Sequence, residues 1–552
     1  MLINLLMSYN LRPFIAAIFM IAGIASICTA QSATPPDNSV YILTPPAPKR
    51  PLINCAKVFG LRPGSECRFL AATSGERPVC FKAKGLPSGL HIDPHSGLVT
   101  GRTKKRGTYK VEITASNAHG SDRRTVRFKI GDEIALTPPM GWNSWNCWGK
   151  TVSQERVIAS AKAMRDKGLI NYGWTYINID DGWQGIRSGK HNAIQPNNKF
   201  PNIQGLSDSI HSMGLKIGLY STPWVITFAG HIGSTCPNAD GTYPWILKGD
   251  HNAIYKLITA DDPTGDKASW KHHYFGQYSF EDNDARQWAD WGIDYIKYDW
   301  YPNDYYHVNK MHQALRNQKR DIVYSLSGIC LYANAPDWAR LTNCFRTTVD
   351  ITDSWASLTK IGFQGQHHWT GFNAPGHWAD PDMLIVGMVG WGDQLHYTRL
   401  TPDEQYTHIS LWALLAAPLL IGCDIAQIDG FTLSLLCNRE VNDIDQDPLG
   451  VQGYPLKVDG DKQTWVKQLE DGSLAIGLFN LGNDSTTINF APKDFGLFGL
   501  QTVRDVWRQQ DIRTIRHIDT FECSLPSHGC KLLRLHPGNR RGSQGLMQQG
   551  NH

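Results

Sequence analysis

Between Leu136 and Pro448 the chain alternates eight short apolar segments with helical stretches, a pattern that constrains its fold more than any other feature. The candidate strands are Met140 to Trp145, Tyr176 to Asp181, Lys216 to Ser221, Tyr295 to Trp300, Ile322 to Ser327, Cys344 to Asp350, His377 to Leu384 and Leu419 to Asp424. Stretches rich in alanine and charge lie between them, such as Ser153 to Lys167 and Asp282 to Trp291. Eight strands with seven crossovers in about 310 residues match the arithmetic of a (β/α)8 TIM barrel. A doubly wound open sheet would carry a glycine-rich fingerprint after its first strand, and none follows Met140 to Trp145.

The flanks read differently. Residues 51–132 alternate strand and turn residues, as in Gly107-Thr-Tyr-Lys-Val-Glu-Ile-Thr-Ala115, and predict a small β-sandwich. From 451 to 538 short alternating strands return, including Thr464 to Gln468, Leu474 to Phe479 and Thr486 to Phe490, so an antiparallel β domain is expected beside a barrel over 136–448. Residues 31–50, rich in Pro, Ser and Thr, predict an exposed linker, and the polar, glycine-rich 539–552 a disordered tail. Residues 1–30 combine Arg12, an apolar run from Phe14 to Ile27 and Thr29-Ala30, the pattern of a cleaved secretory signal. A secreted or periplasmic protein is therefore expected, with no stable membrane insertion once the signal is removed, because no later segment is apolar for long enough to cross a bilayer.

A net charge of +4 over 552 residues, without a basic run of five, argues against nucleic acid as a partner. The twelve cysteines are widely spaced and lack any CxxC pair, which argues against a structural zinc site. In an exported protein some of them are expected to be disulfides, with Cys523 and Cys530 placed to close a hairpin. Nineteen tryptophans supply faces that can stack on sugar rings, although core packing is the commoner use of Trp.

Barrel enzymes keep their chemistry at the C-terminal ends of the strands. Here those ends carry mostly carboxylates: Asp180, Asp181, Asp299, Asp350, Asp380 and Asp382, with Lys297 and Arg346 as cations and Trp142, Trp183, Tyr220 and Trp300 as aromatics. Glycoside hydrolysis needs a carboxylate pair, one to attack the anomeric carbon and one to protonate the leaving oxygen. Clustered carboxylates also suit magnesium or calcium, but only His377 lies near them in sequence.

Seven motifs then appear in order: Met140-Gly-Trp-Asn-Ser-Trp145, Ile179-Asp-Asp-Gly-Trp183, Lys297-Tyr-Asp299, Asp350-Ile-Thr-Asp-Ser-Trp355, Trp378-Ala-Asp-Pro-Asp-Met-Leu384, Ala416-Ala-Pro-Leu-Leu420 and Asp443-Ile-Asp-Gln-Asp-Pro-Leu-Gly450. The series resembles glycoside hydrolase family 27, the α-galactosidase or melibiase family, over about Leu136 to Leu535. The segment before it resembles the immunoglobulin-like modules that precede many secreted bacterial enzymes. The resemblance implies a retaining exo-hydrolase for terminal α-galactosides, without metal or organic cofactor. It makes Asp299 the nucleophile and Asp350 the acid and base. It also makes Asp180 and Asp181 acceptors for the sugar 4- and 6-hydroxyls, and Arg346 and Asp382 further substrate contacts. Trp142 and Tyr220 form an apolar wall, and Lys297 keeps Asp299 ionised while Asp350 stays protonated. Two departures stand out: Tyr301 replaces a cysteine that would pair with one in the preceding loop, leaving Cys236 alone. Ser327 occupies the place where α-galactosidases carry a glutamate, or its neighbour, near the sugar 2-hydroxyl, a place where a small residue accommodates an acetamido group in the family's α-N-acetylgalactosaminidases.

Overall fold

The computed structural model describes residues 34–246, 252 and 273–538. The expected signal over 1–30 and the expected disordered tail over 539–552 lie outside the described residues. At the centre stand eight parallel strands: β1 (Met140–Asn143), β2 (Tyr176–Asn178), β3 (Lys216–Ser221), β4 (Tyr295–Asp299), β5 (Val323–Ser327), β6 (Cys344–Arg346), β7 (Trp378–Asp380) and β8 (Leu419–Ile421). They pair in sequence order, and β8 returns to β1. The ring closes just past β7, where Leu384 bridges Ile421 in parallel and its amide donates to the Leu420 carbonyl at 2.8 Å.

Several strands stop short of their apolar runs for a local reason. After β2 the Asp180 amide donates to Ser144 Oγ (2.9 Å) and the Asp181 amide to Asp180 Oδ1 (2.9 Å), so side chains take over the backbone donors and the ladder ends. The helix Gln154–Asp166 starts where Ser153 accepts the Arg156 amide, as an N-cap should.

The N-terminal module folds as a four-stranded and a three-stranded sheet around Val111, Ile113, Val126 and Phe128. It is fastened to the N-terminal end of the barrel by charge. Arg62 donates to Asp321 Oδ1 at 2.6 Å and to the Arg316 carbonyl at 2.8 Å, while buried Arg124 grips Asp443 at 3.0 and 3.1 Å. Residues 38–44, largely exposed, are nevertheless anchored: the Tyr406 hydroxyl donates to the Tyr41 carbonyl (2.7 Å) and accepts the Leu43 amide (3.0 Å).

The C-terminal domain packs a six-stranded antiparallel sheet against a two-stranded antiparallel sheet of Thr486–Phe490 and Phe521–Leu525, enclosing Val466, Ile476, Ile488, Val503 and Leu533. Each of the eleven described cysteines is a free thiol. Cys523 and Cys530 do not close a hairpin: Cys523 sits on a strand paired with Thr486–Phe490, and Cys530 on one paired with Leu474–Asn480, where its thiol meets Ser410 Oγ at 3.4 Å.

Candidate active site

Every strand-end residue singled out in the sequence lies at the C-terminal end of the barrel. Asp180 is its most heavily engaged carboxylate. Its Oδ2 receives the Asn143 amide and the Lys297 ammonium, both at 2.8 Å, and it is 2% exposed. Lys297 thus bonds Asp180 rather than Asp299. Burial alone would lower the lysine, but the charges of Asp180 and Asp299 overcome it and hold its pKa above the ordinary range. Asp181 accepts the Ala229 amide on Oδ2 at 2.7 Å, while its buried Oδ1 has no partner. Burial pushes Asp181 up to about 7, against the pull of that amide and of the Thr227 hydroxyl.

Asp299 ends β4, in register with Ser327 on β5. Burial pushes its pKa up to about 6; Lys297 opposes the shift, and Asp350 and Asp180 add to it. Arg346, buried at the end of β6, forks between Asp350 (2.9 Å) and Asp382 (3.1 Å). The Asp350 side chain is 80% exposed, that of Asp382 only 3%. Against the effect of partial burial, Arg346 and then Lys297 hold Asp350 below the usual carboxylate range, whereas burial raises Asp382. Burial thus raises Asp299 while Arg346 lowers Asp350, so in the absence of substrate the order of the two pKa values is the reverse of the one their expected roles require.

Trp142 and Tyr220 are almost wholly buried. The Trp142 indole donates to the Cys423 carbonyl at 2.8 Å, and Lys297 Nζ lies 5.3 Å from the Tyr220 ring centre. Trp183 is core, its indole donating to the Tyr220 carbonyl at 2.9 Å. Ser327 is buried and its carbonyl accepts Asn303 Nδ2 at 2.9 Å. Directly after it Gly328 has φ +85°, and a Cβ there would come within 2.0 Å of the Trp300 carbonyl, so this turn requires glycine. Cys236 donates to the Thr242 carbonyl at 3.1 Å. Sequence reasoning missed Asn143, Ser144 and the loop around Ala229. The first two fall within the first motif, but a backbone amide leaves no signal in residue identity. Among the described residues no three His, Cys, Asp or Glu side chains converge as metal ligands.

A melibiase family model described as alpha galactosidase A matches residues 137–241 and 252–447, and its C-terminal β-sandwich companion matches 459–535. The chain belongs to glycoside hydrolase family 27. An Ig-domain model matches residues 63–131. Alpha-galactosidase 2 of Arabidopsis thaliana is 34% identical over 436 residues, covering 77% of this chain and 95% of its own. A Bacteroides fragilis structure described as a candidate alpha-galactosidase/melibiase has a TM-score of 0.75 at 31% identity, covering 88% of this chain and 98% of its own. The family 27 β-L-arabinopyranosidase of Geobacillus stearothermophilus has a TM-score of 0.60 at 26% identity, covering 74% and 98%.

The charges around Asp299 give the family 27 site a testable pH response. Lys297→Met removes the cation that opposes the upward shift of Asp299, so its pKa rises further. With Asp299 in the nucleophile's role proposed below, which requires the ionised form, the acid limb of kcat/KM is expected to move to higher pH, measured with an activated aryl glycoside. An unmoved limb would mean that Asp299 does not feel Lys297.

Proposed function

We propose that this chain is an exported retaining exo-α-galactosidase that releases terminal α-linked galactose by double displacement. The observation that carries the reading is the strand-end cluster itself: Asp299 at the end of β4 and Asp350 just past the end of β6, with the cations Lys297 and Arg346 and the buried acceptors Asp180 and Asp181 beside them. Asp299 attacks the anomeric carbon, and Asp350 donates the proton to the leaving oxygen and later takes one from water. A leaving group seated over Asp350 excludes water from it and moves its pKa up, toward the protonated form that the first step needs. The unpartnered Oδ1 of Asp181 is an acceptor for a sugar hydroxyl, and an acceptor for the 6-hydroxyl favours a hexose over a pentopyranose.

One observation supports a second specificity. Ser327 stands in register with Asp299 and has a short side chain where a glutamate would approach the 2-hydroxyl, which leaves room for an acetamido group. Parallel hydrolysis of the p-nitrophenyl glycosides of α-galactose, α-N-acetylgalactosamine and β-L-arabinopyranose decides the matter. Preference for α-galactose is expected; preference for the acetamido sugar would make Ser327 the specificity determinant, and silence on all three would sink the reading.

Export rests on the apolar run Phe14 to Ile27 followed by Thr29-Ala30. Mass spectrometry of the protein recovered outside the producing cell is expected to show Gln31 as its first residue. A chain that retains Met1 would refute cleavage.

A further inference from the structure

The turn after β7 holds Asp382 at φ +87°, a conformation that an L residue rarely adopts outside glycine. Such a residue persists only where its surroundings over-determine it, and every polar group of Asp382 is engaged. Its amide donates to Asp380 Oδ1 at 2.8 Å, its Oδ2 accepts the Ile351 amide at 2.8 Å, and its Oδ1 meets Arg346 at 3.1 Å. Its carbonyl accepts the indole N–H of Trp412 at 2.8 Å.

Trp412 lies on the buried helix Pro402–Leu415, one turn from His408, and the two rings meet edge to face with centres 4.2 Å apart. His408 Nε2 accepts the Ile385 amide at 3.1 Å, so one helix face holds both ends of the turn that carries Asp382. What Asp382 touches gives that anchoring a consequence. Ile351 directly follows Asp350, and Arg346 bridges Asp382 to Asp350.

We propose that Trp412, braced by His408, is a positioning residue for the reaction: its indole N–H fixes the left-handed turn at Asp382, and through the Ile351 amide and Arg346 that turn aims Asp350 at the leaving group. Trp412 is wholly buried and touches no substrate. The inference rests on Asp350 being the acid. A misaimed acid matters most where the leaving group is a poor one, so the effect depends on the substrate, whereas simple loss of folded protein does not.

The test compares Trp412→Phe with the unaltered full chain. The variant keeps a ring of similar bulk but removes the donor, leaving the Asp382 carbonyl unpaired. The readout is kcat/KM, which covers the first bond-breaking step, for an α-galactosyl disaccharide and for 2,4-dinitrophenyl α-galactoside. The expected result is a loss of about tenfold or more on the disaccharide and less than about threefold on the aryl substrate. Equal losses on both, or no loss on either, would overturn the positioning role. If Trp412→Phe does not fold, His408→Leu leaves the Ile385 amide unpaired and is expected to give the same split at smaller size. His408→Gln, which restores an acceptor, is expected to recover it. Failure of the galactosidase reading itself would show first, as an unaltered enzyme that is silent on both galactosides. The same sugar and aryl pair is then built on whichever glycoside it does cleave.

Discussion

Asp299→Ala is expected to leave a folded protein whose turnover of an aryl α-galactoside falls by about 10⁴-fold or more, and azide is expected to restore part of that turnover with β-galactosyl azide as the product. The stereochemistry is what makes the experiment decisive. With the carboxylate gone, a small anion can enter the space it vacated and attack from the face that Asp299 would have used. Asp350→Ala should behave differently. The galactosyl group still loads onto Asp299 from an activated aryl substrate, and azide then attacks the covalent intermediate from the opposite face to give the α-azide. Substantial residual turnover in Asp299→Ala, or an α-azide from it, would reassign the nucleophile. The register that sets Asp299 beside Ser327, and the coupling of its charge to Lys297 and Asp350, give the assignment its physical basis.

Asp284→Ala is expected to cost about 3–5 kcal/mol of stability, because it strips the carboxylate partner from a buried guanidinium. Arg187 and Asp284 are both wholly buried, joined at 2.6 and 2.9 Å, and Asp284 Oδ1 also accepts the Ile194 amide at 3.0 Å. Arg187 reaches further, to the Gly233 carbonyl at 2.6 Å. Gly233 belongs to the loop whose Ala229 amide holds Asp181, so loosening the pair should raise KM as well as lower the unfolding temperature. Thermal melting and urea unfolding measure the first effect and steady-state kinetics the second. The double variant Arg187→Met, Asp284→Leu removes both charges at once and is expected to recover much of the stability. A single variant that melts with the unaltered chain would show that the pair is not closed to water.

The main features of the fold were legible in the residues, while the details of the site were not. Eight apolar segments at barrel spacing, each ending in polar residues, place Asp180, Asp181, Asp299, Arg346, Asp350 and Asp382 at one end of a closed sheet without knowledge of any coordinate, since a parallel strand must run the same way as its neighbours. Strand ends were overrun because composition does not reveal where a side chain such as Ser144 Oγ takes a backbone donor. The hydrogen-bond partner of Lys297 was not legible for a related reason, although its charge does act on Asp299 as expected. Two residues apart on one strand, Lys297 and Asp299 share a face, but Asp180, just past the end of β2, comes closer to the ammonium. The state of Asp350 depends on how much water reaches it, and that depends on loops contributed by distant segments. Residue type and strand order therefore determined by themselves which groups meet at the barrel mouth. Only the tertiary structure decided which carboxylate each cation neutralises, which acid lies buried, and which turn is held left-handed by an indole thirty residues further along the chain. Charge pairing and desolvation depend on separations of a few ångströms between elements far apart in sequence, which one-dimensional spacing does not encode.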